Sequence, residues 1–204
     1  MQQMVRTLLS PTAPLTRLFR PASVAVIGAG APAATMLAQL QAGGFVGPVR
    51  RATPEAIDTL PEAPDLAVVT TDDPPDGILA RLAARGTGGA ILIGPAPTAP
   101  GPRPRFLGGY ALGLILPGLG LNASLATHMP EPGPLALVGQ SRGFARAVLD
   151  HAASLGLGFS AVVGLGRNDD VGFAATLDWL ARHPGTGAIL LEISRIKYRR
   201  AFLS

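Results

Sequence analysis

The segment with the clearest capacity for chemistry is a short apolar run that ends in two glycines, Ser23 to Gly30 (SVAVIGAG). When a strand turns into a helix through small residues, backbone N–H groups and the helix N-terminus can approach a phosphate. Gly28 and Gly30 are therefore predicted to contact a phosphate-bearing ligand. Ala33 stands where a G-x-G-x-x-G fingerprint has its third glycine, so the segment indicates a Rossmann-like unit more firmly than a dinucleotide site. A tight turn without a ligand is the alternative interpretation.

A second strand-to-helix turn occurs at Gly139 to Gly143 (GQSRG), after another apolar run. It offers the amide of Gln140, the hydroxyl of Ser141 and the guanidinium of Arg142 at the start of a predicted helix. This turn begins the second α/β unit of the chain.

The remaining reactive side chains indicate neither metal ligation nor nucleophilic catalysis. The chain has no cysteine, which excludes thiolate metal sites and a cysteine nucleophile. The histidines, His128, His151 and His183, are predicted in a linker, on an amphipathic helix and at a helix end. Three histidines spread in this way predict no metal site, and no catalytic residue is assigned.

The composition is that of a globular protein with a substantial core. Of the 204 residues, 48% are hydrophobic and 15% are charged, which suits one large or two small domains. No uninterrupted apolar run of about 18 residues occurs, and the apolar part of the N-terminus is too short for a signal peptide. We therefore expect a cytoplasmic protein without membrane insertion.

The net charge of +4 does not by itself indicate a nucleic-acid partner. The basic residues are mostly scattered arginines and aromatic residues are few, which argues against nucleic-acid binding. The densest basic cluster comprises Arg195, Lys197, Arg199 and Arg200. A solvated surface is its preferred interpretation, and an electrostatic contact to a phosphate or an acidic partner is the alternative.

Apolar runs separated by glycine and proline predict alternating strands and helices along the first half of the chain. The predicted strands are 24–27, 48–51, 66–70 and 89–93, and the predicted helices are 33–42 and 73–85. Prolines between residues 94 and 109 exclude a helix there, and a further strand is predicted near 110–116. The Pro/Gly-rich link at 131–134 is the predicted domain boundary.

The second half repeats this pattern. Its predicted strands are 135–138, 160–165 and 188–193, and its predicted helices are 144–155 and 173–182. Short connections between alternating strands and helices predict parallel, doubly wound sheets. The predicted fold class is α/β, with a Rossmann-like domain over residues 18–130 and a partial flavodoxin-like domain over residues 135–204.

Six segments in a fixed order resemble a known family. They are LFRPASVAVIGAG (18–30), LQAGGFVGPV (40–49), LPEAPDLAVVTT (60–71), LGLILPGLGLNASLA (112–126), LALVGQSRG (135–143) and GLGFSAVVGLGRNDDVGF (156–173). Together they are similar to the CoA-binding and ligase-like domains of NDP-forming acyl-CoA synthetases, relatives of the succinyl-CoA synthetase alpha subunit. The resemblance runs from residue 18 to residue 204. It extends to the synthetase-like part of bacterial protein acetyltransferases that carry a GNAT domain.

The resemblance implies CoA or acyl-CoA as cofactor, held over the carboxyl ends of the first domain's strands. Gly28 and Gly30 match the first CoA loop of the family. Arg50 and Arg51 lie where a Val-Asn-Pro-like turn is usual, and Thr70 begins the loop after the third strand. A helix cap is the alternative role of that loop, and simple solvation is the alternative for the arginines.

Two departures from the family pattern affect the expected CoA contacts. Pro32, in the first loop, has no N–H to offer a phosphate. Residues 108–111 read Gly-Gly-Tyr-Ala where relatives have a Gly-Pro-Asn-Cys-like turn. We therefore expect a weakened contact to the pantetheine arm of CoA.

In the second domain the resemblance implies a turn that receives the phosphate of a phosphohistidine. Gln140, Ser141 and Arg142 match this Ser-Gln-Ser-Gly turn, with arginine in place of a small residue. Ser194 stands where a glutamate normally orients the phosphohistidine, and Glu192 lies two residues earlier. No histidine of the chain matches the family's catalytic histidine, whose subdomain would follow residue 204.

These departures lead to the expectation of a catalytically incomplete acyl-CoA synthetase-like protein, a non-catalytic or regulatory subunit of a larger assembly. The alternatives are the alpha-like, CoA-binding part of a split synthetase or of a GNAT acetyltransferase, and a scaffold subunit without a ligand. A scaffold would dock through its Arg-rich end at 195–200 and its Pro-rich loop at 95–105. The expected partner is an ATP-grasp-like subunit, an acetyltransferase domain or another complex, and self-association is a further alternative.

Overall fold

Two five-stranded sheets with flanking helices form the structure, a computed structural model that describes residues 15–197 and 199–203. The first sheet is entirely parallel, with strand order β2-β1-β3-β4-β5. Its strands are β1 (Val24–Ile27), β2 (Val49–Ala52), β3 (Leu66–Val69), β4 (Gly89–Leu92) and β5 (Arg105–Leu107). The three central strands β1, β3 and β4 are buried at every position, as expected for parallel strands that are covered on both faces.

Helices cover both faces of this sheet. The short helix α1 (Thr16–Phe19) and the helix α2 (Gly30–Ala42) pack on one face, and α3 (Asp76–Ala84) packs on the other with a 3₁₀ segment (Pro54–Thr59). Within residues 93–104 the chain forms no helix, as its prolines predict. The carboxylate of Asp76 holds this loop by accepting backbone N–H groups from Thr98 (3.1 Å) and Ala99 (2.8 Å).

The second sheet is mixed and has the order β10-β8-β9-β6-β7. Its strands are β6 (Gly113–Leu116), β7 (Leu121–Ser124), β8 (Pro132–Gly139), β9 (Phe159–Gly164) and β10 (Ala188–Glu192). β8 pairs in parallel with β9 and β10, whereas β6 is antiparallel to β7 and β9. Its helices are α4 (Arg142–Ser154) and α5 (Phe173–Leu180), and α6 (Arg199–Leu203) follows β10.

The α/β class is confirmed, with one correction to the expected parallel sheets. The sequence places the strand near 110–116 in the first unit, but β6 and β7 hydrogen-bond within the second sheet and run antiparallel to their neighbours. The short connection between β6 and β7 permits a hairpin, and a hairpin is antiparallel by geometry. The boundary at 131–134 stays a prediction, and β8 begins inside that segment, at Pro132.

One continuous core joins the two sheets. Apolar side chains from both sheets and from α1, α2 and α5 form a single buried cluster, which includes Val26 and Leu66 of the first sheet and Leu114 and Val163 of the second. The outer face of the second sheet packs against α4 in a separate cluster. No helix within residues 15–197 and 199–203 is long and apolar enough to cross a membrane.

Candidate functional site

The carboxyl ends of β1 and β3 form the switch point of the first sheet. From β1 the chain moves outward to β2 and then returns to β3 on the other side of β1. The loops after β1 and β3 therefore leave in opposite directions and open a crevice, which is the usual ligand position in such sheets. The turn at Gly28 and the residue Thr70 lie at this point.

Gly28 and Thr70, both predicted from the sequence, are in direct contact. Gly28 has a φ of +148°, and a Cβ built on it would lie 2.2 Å from Thr70 Oγ1. The Thr70 hydroxyl is buried and donates to the Ile27 carbonyl at 3.4 Å. Glycine is thus required at position 28 for two reasons. A side chain there would clash with Thr70 at the end of β3, and the φ of +148° is unfavourable for any residue with a Cβ.

The N-terminus of α2 is open to an anion at this crevice. The helix begins at Gly30, three residues before the predicted start, and its N-cap residue Ala29 provides no side-chain cap. Gly30 has a φ of +70°, and a Cβ built on it would meet only Pro32 Cδ, at 3.9 Å. The first-turn N–H groups are therefore not satisfied by a capping side chain, although Pro32 removes one of them.

Arg50 and Arg51 lie on opposite faces of the first sheet. Arg51 is in register with Val26, whose face packs against α2, and Arg50 is in register with Ala25 on the face that α3 covers. Arg50 lines a cleft of about 290 Å³ with Ser23 at the amino ends of the strands. Of the two arginines, Arg51 is therefore the one on the α2 side of the sheet.

The segment 108–111, where the family pattern is broken, is engaged by the second half of the chain. Gly109 N–H donates to Asp169 Oδ2 at 3.2 Å, and the carbonyls of Gly108 and Gly109 accept backbone N–H groups from Asp169 (3.2 Å) and Arg167 (2.9 Å). Asp169 also receives Lys197 Nζ at 3.0 Å. Asp169 thus makes a contact between the two halves of the chain.

The neighbouring carboxylate, Asp170, ties the edge strand β5 to the second half of the chain. Its oxygens accept Arg105 Nε at 2.9 Å and the backbone N–H of Phe106 at 2.8 Å. The pair of aspartates thus fixes the relative position of the two sheets at the end of the first one.

At the second turn, the backbone N–H groups already donate hydrogen bonds to a carboxylate. Glu192 Oε2 accepts the N–H of Gln140 at 2.7 Å and that of Ser141 at 2.8 Å. Glu192 is in register with Gly139 on β8, and a Cβ on Gly139 would lie 3.0 Å from this oxygen. The missing side chain of Gly139 therefore leaves room for the carboxylate at the turn.

The side chains around Glu192 reinforce this arrangement. Ser194 Oγ donates to Glu192 Oε1 at 2.7 Å, and Gln140 Oε1 accepts the N–H groups of Ser194 (3.0 Å) and Arg195 (2.8 Å). Ser141 caps α4 by accepting the N–H of Phe144 at 3.2 Å. The side chains of Gln140 and Ser141 are thus already engaged within the protein.

Burial raises the pKa of Glu192, but hydrogen bonds from the Ser194 hydroxyl and the backbone N–H groups of Ser141 and Gln140 outweigh it, and the net pKa lies below the usual 4.5. The carboxylate therefore remains charged at neutral pH. A lowered pKa in the folded state stabilises the fold above pH 4.5, and this contribution is lost as the pH falls through the lowered value.

Arg142 connects the two halves of the chain. Its guanidinium donates to the carbonyls of Tyr110 (2.9 Å), Ala111 (3.1 Å) and Ile93, and it lies 5.7 Å from the centre of the Tyr110 ring. Burial lowers the pKa of this half-buried arginine. A role of Arg142 in binding phosphate, expected from the sequence, would require these contacts to break.

Sequence reasoning missed the role of Glu192. The sequence contained a signal for this role: Glu192 ends the apolar run of β10, and the turn at Gly139 ends the apolar run of β8. Only the pairing of β8 with β10 places the carboxylate beside the turn. None of the three histidines hydrogen-bonds to the turn, and the described residues contain no group of three or more acidic or histidine side chains suited to a metal.

Comparisons with known proteins show which proteins the chain is similar to. Residues 132–204 match the succinyl-CoA ligase like flavodoxin domain family. The ADP-forming acetate–CoA ligase II of Archaeoglobus fulgidus is 26% identical over 92% of this chain and 33% of its own length. The alpha subunit of the ADP-forming acetate–CoA ligase I of Pyrococcus furiosus is 32% identical over 48% of this chain and 21% of its own length.

A solved structure with the same fold is the apo dinucleotide-forming acetyl-coenzyme A synthetase 1 of Ca. Korarchaeum cryptofilum. It has a TM-score of 0.82 at 24% identity and covers 93% of this chain and 48% of its own. The chain thus spans about half of this structure and a third or less of the two curated relatives. Residues 132–204 thus match the model of this family, and nearly the whole chain is similar in sequence to part of an ADP-forming acetate–CoA ligase and shares its fold with part of an acetyl-coenzyme A synthetase.

Proposed function

We propose that this chain is the CoA-binding part of an acyl-CoA synthetase-like assembly and that its second turn does not receive a phosphoryl group. The observation that carries the proposal is the Glu192 carboxylate on the N–H groups of Gln140 and Ser141. In this proposal the chain positions CoA and serves as a non-catalytic or regulatory subunit. Phosphoryl transfer, where it occurs, does not pass through the turn at Gly139 to Gly143.

The geometry of the first sheet supports CoA binding through the phosphates. The open N-terminus of α2 lies at the switch point beside Gly28, and a helix N-terminus stabilises phosphate charge. Arg51 supplies a guanidinium on the α2 side of β2, which suits charge-assisted hydrogen bonds to phosphate. The pantetheine arm would meet residues 108–111, whose backbone is already hydrogen-bonded to Asp169 and Arg142.

Replacement of Arg51 by alanine is expected to weaken CoA binding about tenfold, since a guanidinium–phosphate contact is worth roughly 1.5 kcal/mol or more. Isothermal titration calorimetry with CoA and with acetyl-CoA measures this effect. Arg50→Ala is the matched control, because Arg50 lies one residue away on the opposite face, and it is expected to leave the affinity unchanged. A wild-type chain that binds neither compound would contradict the proposal and favour a scaffold without a ligand.

The carboxylate at the second turn competes with any phosphate for the same donors. Two backbone N–H groups are paired with Glu192, and a phosphate would have to displace a charged group that the Ser194 hydroxyl also holds. Bringing a dianion beside this carboxylate costs further energy, since like charges at close range repel. Glu192 thus takes the place of the anion at the turn.

Removal of this carboxylate by Glu192→Ala is expected to create phosphate binding at the turn. In the wild type, the amide resonances of Gln140 and Ser141 should show no saturable shift with inorganic phosphate up to about 10 mM, whereas in the variant both should shift, because a free anion binds weakly where donors are unpaired. Ser194→Ala, which keeps the carboxylate, is the control and should behave like the wild type. Saturable phosphate binding at the wild-type turn would contradict the assignment.

An exposed edge supports the proposed protein partner. Among the residues that the structure describes, β10 is an edge strand, and its apolar side chains Ile189 and Leu190 are 37% and 46% exposed. An apolar edge strand of this kind favours pairing with another strand. We assign a ligase-like partner to this edge. Co-purification from the native host tests the assignment: the wild type is expected to retain the partner, and Leu190→Asp, which puts a charge on the edge, is expected to lose it.

A further inference from the structure

A cleft of about 620 Å³ lies at the amino ends of β8 and β9, where Pro132 and Phe159 begin these strands. The volume is in the range of small-molecule sites. The Gly139 turn lies at the carboxyl end of β8, so the cleft is at the opposite end of the second sheet. It is therefore separate from both turns of the proposed CoA-binding part.

Aromatic side chains form the walls of this cleft. Phe19, Phe159 and Trp179 line it, and Phe19 stacks on Trp179 with ring centroids 4.4 Å apart and an angle of 14°. Phe19 and Phe159 are almost completely buried, so Trp179 is the aromatic ring that is partly exposed to the cleft, and the core holds it in place. A partly exposed ring of this kind favours a flat apolar ligand that packs against it.

A hydrogen-bond chain fixes the tautomer of His183, which also lines the cleft. The Ser160 hydroxyl donates its only proton to the Leu135 carbonyl at 3.1 Å, because a carbonyl can only accept. It must then accept from the Thr186 hydroxyl at 2.9 Å. Thr186 Oγ1 in turn accepts from His183 Nδ1–H at 3.1 Å. In neutral His183 the proton is therefore on Nδ1, and Nε2 keeps its lone pair for a hydrogen-bond donor.

The charged groups at the cleft favour an anionic ligand. Arg20 and Arg182 both line it. Arg182 is paired with Asp178 at 2.5 and 2.8 Å, so these two charges cancel. Arg20 then gives the lining a net positive charge when His183 is neutral, and a guanidinium is well suited to a carboxylate.

We propose that this cleft binds a small aromatic carboxylate that carries a hydroxyl group. The ring packs against Trp179, which Phe19 supports from one face, the carboxylate pairs with Arg20, and the hydroxyl donates to His183 Nε2. The site is independent of CoA, because it lies at the other end of the sheet and shares no residue with the two turns.

The probe is 4-hydroxybenzoate, and the readout is the indole N–H resonance of Trp179, the only tryptophan of the chain, in spectra of the full-length protein. Saturable movement of this resonance is expected. Benzoate, which lacks the hydroxyl donor, and 4-hydroxybenzylamine, which reverses the charge, should each bind about tenfold more weakly, as loss of one hydrogen bond or ion pair predicts.

His183→Ala is expected to remove the preference for 4-hydroxybenzoate over benzoate, and His151→Ala, on the exposed face of α4, should retain it. The spectrum of each variant shows whether it is folded. Any of three results overturns the proposal: no saturable shift of the wild-type indole resonance, equal binding of the three probes, or equal loss of preference in both histidine variants.

Discussion

Replacing Gly28 with alanine is expected to lower the free energy of unfolding by about 3 kcal/mol. The φ of +148° is unfavourable for any residue with a Cβ, and the new methyl group would lie 2.2 Å from Thr70 Oγ1. One of the two atoms must move within a buried strand end, which adds the cost of overpacking. Urea unfolding followed by circular dichroism measures the loss.

The matched control is Gly30→Ala, two residues along the same turn. Gly30 has a φ of +70° but nothing near the position of a Cβ except Pro32 at 3.9 Å, so we expect a loss of about 1 kcal/mol from backbone strain alone. Thr70→Ala in the Gly28→Ala background should recover about 1 kcal/mol by removing the clashing oxygen. If Gly28→Ala and Gly30→Ala lower the free energy of unfolding by the same amount, the contact between Gly28 and Thr70 does not constrain the turn.

Replacing Arg142 with alanine is expected to cost a similar amount, about 3 kcal/mol. The guanidinium donates to the carbonyls of Ile93, Tyr110 and Ala111, and its removal leaves acceptors at the junction of the two sheets without a donor. The loss should be accompanied by faster hydrogen exchange of the amides in residues 108–111, since this segment is held from the second half of the chain. Urea unfolding and amide exchange provide the two measurements.

Arg146→Ala is the control for Arg142→Ala, because Arg146 lies one turn later on α4 and is exposed. Its removal should change stability by less than about 0.5 kcal/mol. Arg142→Lys keeps the charge but cannot reach three carbonyls with a planar group, so it should recover only part of the loss. Equal effects of Arg142→Ala and Arg146→Ala would show that the contacts of Arg142 with the carbonyls of Ile93, Tyr110 and Ala111 contribute nothing to stability.

Much of the first half of the fold could be predicted from the sequence. The strand at 24–27 is confirmed without change, and those at 66–70 and 89–93 are confirmed to within one residue. Each is a run of apolar residues bounded by glycine, proline or aspartate, and burial on both faces requires such a run. The helix at 73–85 is confirmed but begins at Asp76, because a residue that precedes a proline disfavours the helical conformation, and both Asp73 and Pro74 precede prolines.

The short strand β5 (Arg105–Leu107) could not be predicted in the same way. It lies at the end of a proline-rich loop and has only three residues, which are too few to show the alternation of apolar and polar residues that indicates a strand. Its place in the sheet depends on pairing with β4 and on the Asp170 carboxylate, which accepts the N–H of Phe106. The strand β4 is separated from β5 by the proline-rich loop, and Asp170 belongs to the other half of the chain.

The α/β class, the positions of the two strand-to-helix turns and the resemblance to acyl-CoA synthetases could be predicted from the sequence, because they depend on local apolar runs and on short motifs in a fixed order. Three features are visible in the folded chain alone: β6 and β7 join the second sheet, Glu192 occupies the turn at Gln140, and Arg142 binds the loop of the first half. Each of these depends on contacts between residues 30 or more positions apart, which the strand order brings together and no local pattern encodes. The turns were visible in the sequence, and what occupies them was not.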